Sequence, residues 1–165
     1  MSSTELTVHT TGPDDTRAVA AAIAPLLRAG DAVSLSGELG AGKTCFVQGA
    51  AKALGVTGRV TSPTFMLLRT YTEASPPVVH CDVYRLDRLQ DVLDLGDEVL
   101  ASDVVTFIEW GDAVATLLPA DRLEVEVLLE GDDGHRCLRL TGHGAFAERL
   151  PELAGAVAPW TDGSA

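Results

Sequence analysis

The chain has 165 residues, 46% hydrophobic and 22% charged, which suits one soluble globular domain with a sizeable core. Its formal charge of −12 comes from 12 Lys+Arg against 24 Asp+Glu. That balance argues against a protein that grips phosphate backbones alone, so any nucleic-acid role runs through a partner. Three cysteines, at 45, 81 and 137, show no C-x-x-C spacing and suggest neither a disulfide framework nor a zinc knuckle.

The start, MSSTELTVHTTGPDD, lacks the basic region and apolar core of a signal peptide. The most apolar run, AVAAAIAPLL (18–27), is interrupted by Pro25 and is too short to span a bilayer. A cytoplasmic chain with no membrane role is expected. Leu6 to His9 reads as a short strand, and Gly12 to Asp15 as a turn that opens a helix. Apolar residues Val19, Ile23, Leu26 and Leu27 recur at helical spacing from Thr16 to Ala29, with Gly30 as the stop and Pro25 as a kink. AVSLS (32–36) is a buried strand that leads into GELGAGKT (37–44), and residues 44–54 are helical up to Gly55.

Residues 64–72 and 77–84 read as two strands joined by EASP in a hairpin. Residues 87–96 read as a helix and VVTFIE (104–109) as a buried strand. RLEVEVLLE (122–130) alternates, GDDG turns, and HRCLRLTG (135–142) returns as a second hairpin. Residues 145–154 read as a closing helix. No repeats or dividing linkers appear, so residues 1–157 form one domain and 158–165 a flexible tail. The fold class is α/β: a P-loop NTPase-like sheet with flanking helices and added antiparallel hairpins.

GELGAGKT matches G-x-x-x-x-G-K-[ST] at every fixed position. The pattern arises by chance in roughly one chain of this length in two hundred, and a strand before it and a helix after it strengthen the match. Glycines let backbone N–H groups of Gly37, Glu38, Leu39, Gly40, Ala41 and Gly42 curl around phosphate oxygens. The helix N-terminus faces the anion. Lys43 reaches the terminal phosphates and the Thr44 hydroxyl can ligate Mg²⁺. The alternative is a glycine turn before an ordinary helix. The chain contains no Asn and only one further lysine, Lys52, so the Asn-Lys-x-Asp base reader of common GTPases is missing and ATP is favoured by elimination.

Glu109 ends an apolar strand where a magnesium-anchoring carboxylate is expected; it could also be an exposed strand-end acid. Trp110 beside it is either a packing residue or a base platform. In HCDVYRL (80–86), alternation puts His80, Asp82 and Tyr84 on one face and Cys81 on the other, so the three metal-ligand types cannot share one zinc ion. Asp82 could orient an attacking water or the metal's water shell, or pair with Arg85 or Arg88. His80 reads as a structural histidine.

GELGAGKT, TSPTF (61–65), HCDVYRL, LDLG (93–96) and IEWG (108–111), in that order, resemble the TsaE (YjeE) family, bacterial ATPases of tRNA threonylcarbamoyladenosine biosynthesis. The resemblance covers about residues 16–122. It implies a P-loop α/β fold binding ATP and Mg²⁺, weak hydrolysis alone, and action with the TsaB and TsaD proteins, which modify adenosine 37 of tRNA. By motif position, Lys43 would bind phosphate, Thr44 and Glu109 would hold magnesium, and Asp82 would serve hydrolysis. Ser62 and Thr64 would lie in a nucleotide-responsive loop, and Trp110 would be functionally sensitive. Cys45 departs from the family's usual second Thr, weakening any phosphate contact there. Cys81 stands where an aromatic is frequent. A small-molecule kinase or a non-hydrolysing nucleotide sensor are the alternatives from other classes.

Overall fold

A computed structural model describes residues 5–38, 40–61, 68–82, 101–110, 118–131 and 134–161. Leu39, Ser62, Thr64, Tyr84, Arg85, Arg88 and the whole of the expected 87–96 helix lie outside them. Seven strands form one mixed sheet: β1 (Glu5–Thr10), β2 (Ala32–Gly37), β3 (Leu68–Tyr71), β4 (Val78–Asp82), β5 (Val105–Glu109), β6 (Arg122–Leu129) and β7 (Arg136–His143). Their order is β1-β7-β6-β2-β5-β4-β3. The centre is parallel, with β2 between β5 and β6 and β4 beyond β5. Antiparallel hairpins close both sides, β3 on β4 and β6–β7 with β1 added. The architecture is the α/β sheet with added hairpins expected from the sequence.

Burial explains this layout. β4 and β5 are buried at every position, as strands in a parallel centre must be. β6 instead alternates, burying Leu123, Val125 and Val127 while Glu124 and Glu126 reach solvent. One face of the sheet carries Val33, Leu35, Val105, Phe107, Val125 and Leu138 into a core shared with α1 (Pro13–Ile23) and α2 (Lys43–Leu54).

α1 and α2 approach closely because their facing residues are small. An added Cβ on Gly49 would lie 2.2 Å from the Arg17 carbonyl oxygen and 2.7 Å from its Cα. Backbone cannot swing aside as a side chain can. Gly49→Ala should therefore destabilise by about 2 kcal/mol even after its gain in helix propensity. Urea unfolding checks this, and an unchanged midpoint would mean that the helices can part at little cost.

Three expected elements change on folding. The helix foreseen to Ala29 stops at Ile23 and tightens into a 3₁₀ turn at Ala24–Leu26, with Leu27 extended. Pro25 offers no N–H to Ala21 and its ring crowds that carbonyl, which ends the α-helical ladder. Gly30, at φ 94°, is consequently not a helix stop; it turns the chain into β2 while its N–H bonds to Val104.

The closing helix foreseen at 145–154 is a 3₁₀ turn at Gly144–Arg149 followed by α3 (Leu150–Ala156), which restarts with proline in its first turn. Arg149 secures this unit, giving Asp31 two bonds of 2.8 and 2.9 Å and the Leu26 carbonyl a third. The foreseen tail from residue 158 is corrected as well. Ala158–Trp160 form a 3₁₀ turn, and Trp160 packs on the core and donates to Asp15 at 2.7 Å. Thr161 bridges to Val8, so the packed chain runs at least that far.

Candidate functional site

β2, β4 and β5 are parallel and finish at one edge of the sheet. The sequence after β2 therefore meets the ends of the other two. β2 ends at Gly37, whose φ is 139° and whose absent Cβ would sit 2.4 Å from the Val127 carbonyl oxygen. Only glycine fits so close to β6 in that conformation. Gly42 is left-handed, at φ 119°, and releases the chain into α2. The first N–H groups of α2 have no partners within the helix, so its start carries a partial positive charge beside the loop.

Lys43 is nearly buried. Its ammonium donates to the carbonyls of Gly37 at 2.7 Å and Glu38 at 3.0 Å, and lies 3.8 Å from the centre of the Trp110 ring. The loop thus closes around its own lysine, with an indole face over the charge. Trp110 packs its ring over the Lys43 ammonium in this arrangement. Its φ of 64° is the one positive value at a non-glycine among the described residues, and it stops β5. Its N–H bonds to Leu35 on β2 at 2.7 Å, which fixes the turned backbone and so the ring.

Thr44 and Glu109, 65 positions apart, meet directly. The Thr44 hydroxyl faces both carboxylate oxygens, at 2.9 and 3.0 Å. A hydroxyl has one proton and two lone pairs. With its proton directed to Glu109, the lone pairs of Thr44 stay available to a hard cation. Glu109 is only 3% exposed, so it is not a stray strand-end acid. The pair fits magnesium, as two oxygen donors of the right kind held beside a glycine loop and a helix start.

His80 completes this cluster. It is fully buried on β4, and its Nε2 lies 2.5 Å from Glu109 Oε2. Sequence reasoning gave it only a structural part. Its sole legible signal was the shared face with Asp82, since the link to Glu109 depends on β4 lying beside β5. Asp82 itself pairs in register with Glu109, at the same edge and on the same face. Neighbouring parallel strands put such residues about 4.8 Å apart. A second residue that sequence reasoning missed is Arg136 on β7, whose Nε donates to the Ala41 carbonyl at 2.6 Å and fastens the loop from the far hairpin.

Cys81 lies on the opposite face from His80 and Asp82, in register with Ile108. Burial, followed by the charge of Asp82, pushes its thiol up to about 12. A native thiol should resist a disulfide reagent at pH 8 and react only on unfolding. Counting modified cysteines before and after denaturant checks this; fast native labelling of Cys81 would contradict its burial. The sign at high pH follows. Between pH 9 and about 12 the unfolded chain gives up a proton that the native thiol keeps. Stability then falls by up to about 1.4 kcal/mol per pH unit from this group. Cys45 lies half-buried in the first turn of α2.

The sequence model of the threonylcarbamoyl adenosine biosynthesis protein TsaE matches residues 10–138. The chain belongs to the TsaE family. The tRNA threonylcarbamoyladenosine biosynthesis protein TsaE of Bacillus subtilis is 37% identical over 148 residues, covering 90% of this chain and 92% of that one. The TsaE of Streptomyces coelicolor is 48% identical over 108 residues, 64% of this chain and 73% of its own. The crystal structure of Bacillus subtilis YdiB superposes with a TM-score of 0.78 at 31% identity, over 96% of this chain and 97% of that one. The TsaE match spans the glycine loop after β2 and the strands that carry Asp82 and Glu109. It ends within β7, short of the C-terminal unit that Arg149 fastens.

Proposed function

We propose that this TsaE-family chain binds ATP with Mg²⁺ and hydrolyses it slowly, as an accessory ATPase in forming threonylcarbamoyladenosine at position 37 of tRNA. The observation that carries the reading is the meeting of Lys43, Thr44 and Glu109 at the strand edge that Asp82 shares. The family's name supplies the pathway, and the geometry supports the nucleotide chemistry. Lys43 holds the terminal phosphates, with backbone N–H groups of residues 37–42 around them. Thr44 and Glu109 hold the magnesium, which supplies charge neutralisation for the phosphoryl group in transfer. Asp82 orients the attacking water and accepts its proton.

TsaD and TsaB are the proposed partners, and tRNA is engaged through them rather than by this acidic chain. Among the described residues no helix is long and apolar enough to cross a membrane. A tRNA-modifying assembly would work in the cytoplasm. The test is the ATP hydrolysis rate of the purified protein, alone and with TsaB and TsaD of the same organism, with Lys43→Ala as blank. A rate altered by the pair and absent in the blank supports the proposal. An unchanged rate with no association would remove the accessory role, and transfer of phosphate to a small metabolite would make the protein a kinase.

A further inference from the structure

We infer that His80 is a positioning residue for Glu109 and sets the affinity of the site for magnesium. This rests on the nucleotide–magnesium reading above. Glu109 holds two kinds of contact at once: the Thr44 hydroxyl against both oxygens, and His80 Nε2 against Oε2. An ionised carboxylate only accepts, so Nε2 carries the proton and donates it. The ring sits on β4, one strand over from Glu109 on β5, and packing leaves it no other place: His80 is 0% exposed.

A buried histidine commonly bonds through both nitrogens. Here Nδ1 has no hydrogen-bond partner among the described residues, so the ring's polar contact within them is the carboxylate. A ring that served only to satisfy its strand would face backbone; this one faces the residue that meets Thr44. Free rotation of Glu109 would let the carboxylate leave the Thr44 hydroxyl. The bond from His80 fixes one oxygen and thereby the plane of both.

Partners of this kind, lying behind a metal-binding carboxylate, typically change metal affinity by about 10- to 100-fold when removed. They do so without touching the nucleotide. His80 acts through Glu109, whereas Lys43 and residues 37–42 act on phosphate directly, so the two contributions separate in a binding experiment.

The experiment measures ADP affinity by calorimetry across a magnesium series and in EDTA, for the intact protein and for His80→Asn, His80→Leu and His80→Gln. Glutamine can return an N–H to about the place of Nε2; asparagine stays polar but is too short, and leucine has no donor. The expected result is a magnesium midpoint raised at least tenfold in the Asn and Leu variants. Most of that shift is recovered in Gln, and ADP affinity in EDTA stays within about twofold of the unsubstituted protein in all three. If leucine does not fold, the contrast between Asn and Gln decides alone. Equal midpoints in Asn, Gln and the unsubstituted protein would overturn the inference while leaving the site reading intact. So would a loss of ADP affinity in EDTA as large as the loss in magnesium, which would make His80 merely structural. An unsubstituted protein whose ADP affinity ignores magnesium would overturn the underlying reading and this inference with it.

Discussion

Replacing Lys43 with alanine should weaken ATP binding by roughly 30- to 1,000-fold, about 2–4 kcal/mol, and abolish measurable hydrolysis. The side chain is only 4% exposed, held by two carbonyls of its own loop and by the Trp110 face. The two carbonyls and the indole face fix the ammonium at the loop, where an anionic ligand would meet it. Arginine should not restore the affinity. Its planar fork is larger than the compact ammonium that fits between Gly37, Glu38 and the ring. Titration of a fluorescent ATP analogue gives the constants, and a thermal melt tests that the variant folds. An affinity within threefold of the unsubstituted protein would mean that phosphates do not bind at this loop.

Asp82→Asn should lower ATP turnover by roughly 10²- to 10⁴-fold, the usual size of a positioned acid–base contribution, while ATP binds nearly as before. Asparagine preserves the shape and the buried position, so the loss isolates the charge. The residue lies 8% exposed at the end of β4, in register with Glu109. The two carboxylates sit on neighbouring strands but in different surroundings. Glu109 is engaged by Thr44 and His80. On the proposed reading, Asp82, next to Glu109 at the strand end, would orient the attacking water. Measuring kcat and analogue affinity on the same preparation checks the prediction. A background rate that does not change would reduce Asp82 to a structural acid and favour a sensor that binds nucleotide without cleaving it.

Much of this site was legible before folding. GELGAGKT carries its own reason in residue types, because each glycine and the Lys-Thr pair answer a local demand of backbone or charge. Alternation along HCD was enough to separate Cys81 from Asp82, and the apolar run before Glu109 marked a strand end. Helix ends were less legible. Pro25 was visible as a disturbance, but whether it kinks a helix or ends one depends on what packs beyond it. The residues after 157 read as a loose tail because no local pattern announces that Trp160 will find Asp15, 145 positions away.

The sequence by itself determined the glycine loop, the strand–loop–helix around it, the two hairpins and the strand ends at which Asp82 and Glu109 stand. All of these depend on neighbours a few residues apart, where spacing and side-chain type dictate geometry. Tertiary structure alone decided that β5 would lie between β2 and β4. That order sets Glu109 against Thr44, brings His80 behind it, and folds Trp110 over Lys43. Strand order is a long-range choice, made by which faces can be buried together, and the pairing of side chains across it leaves no trace in local spacing.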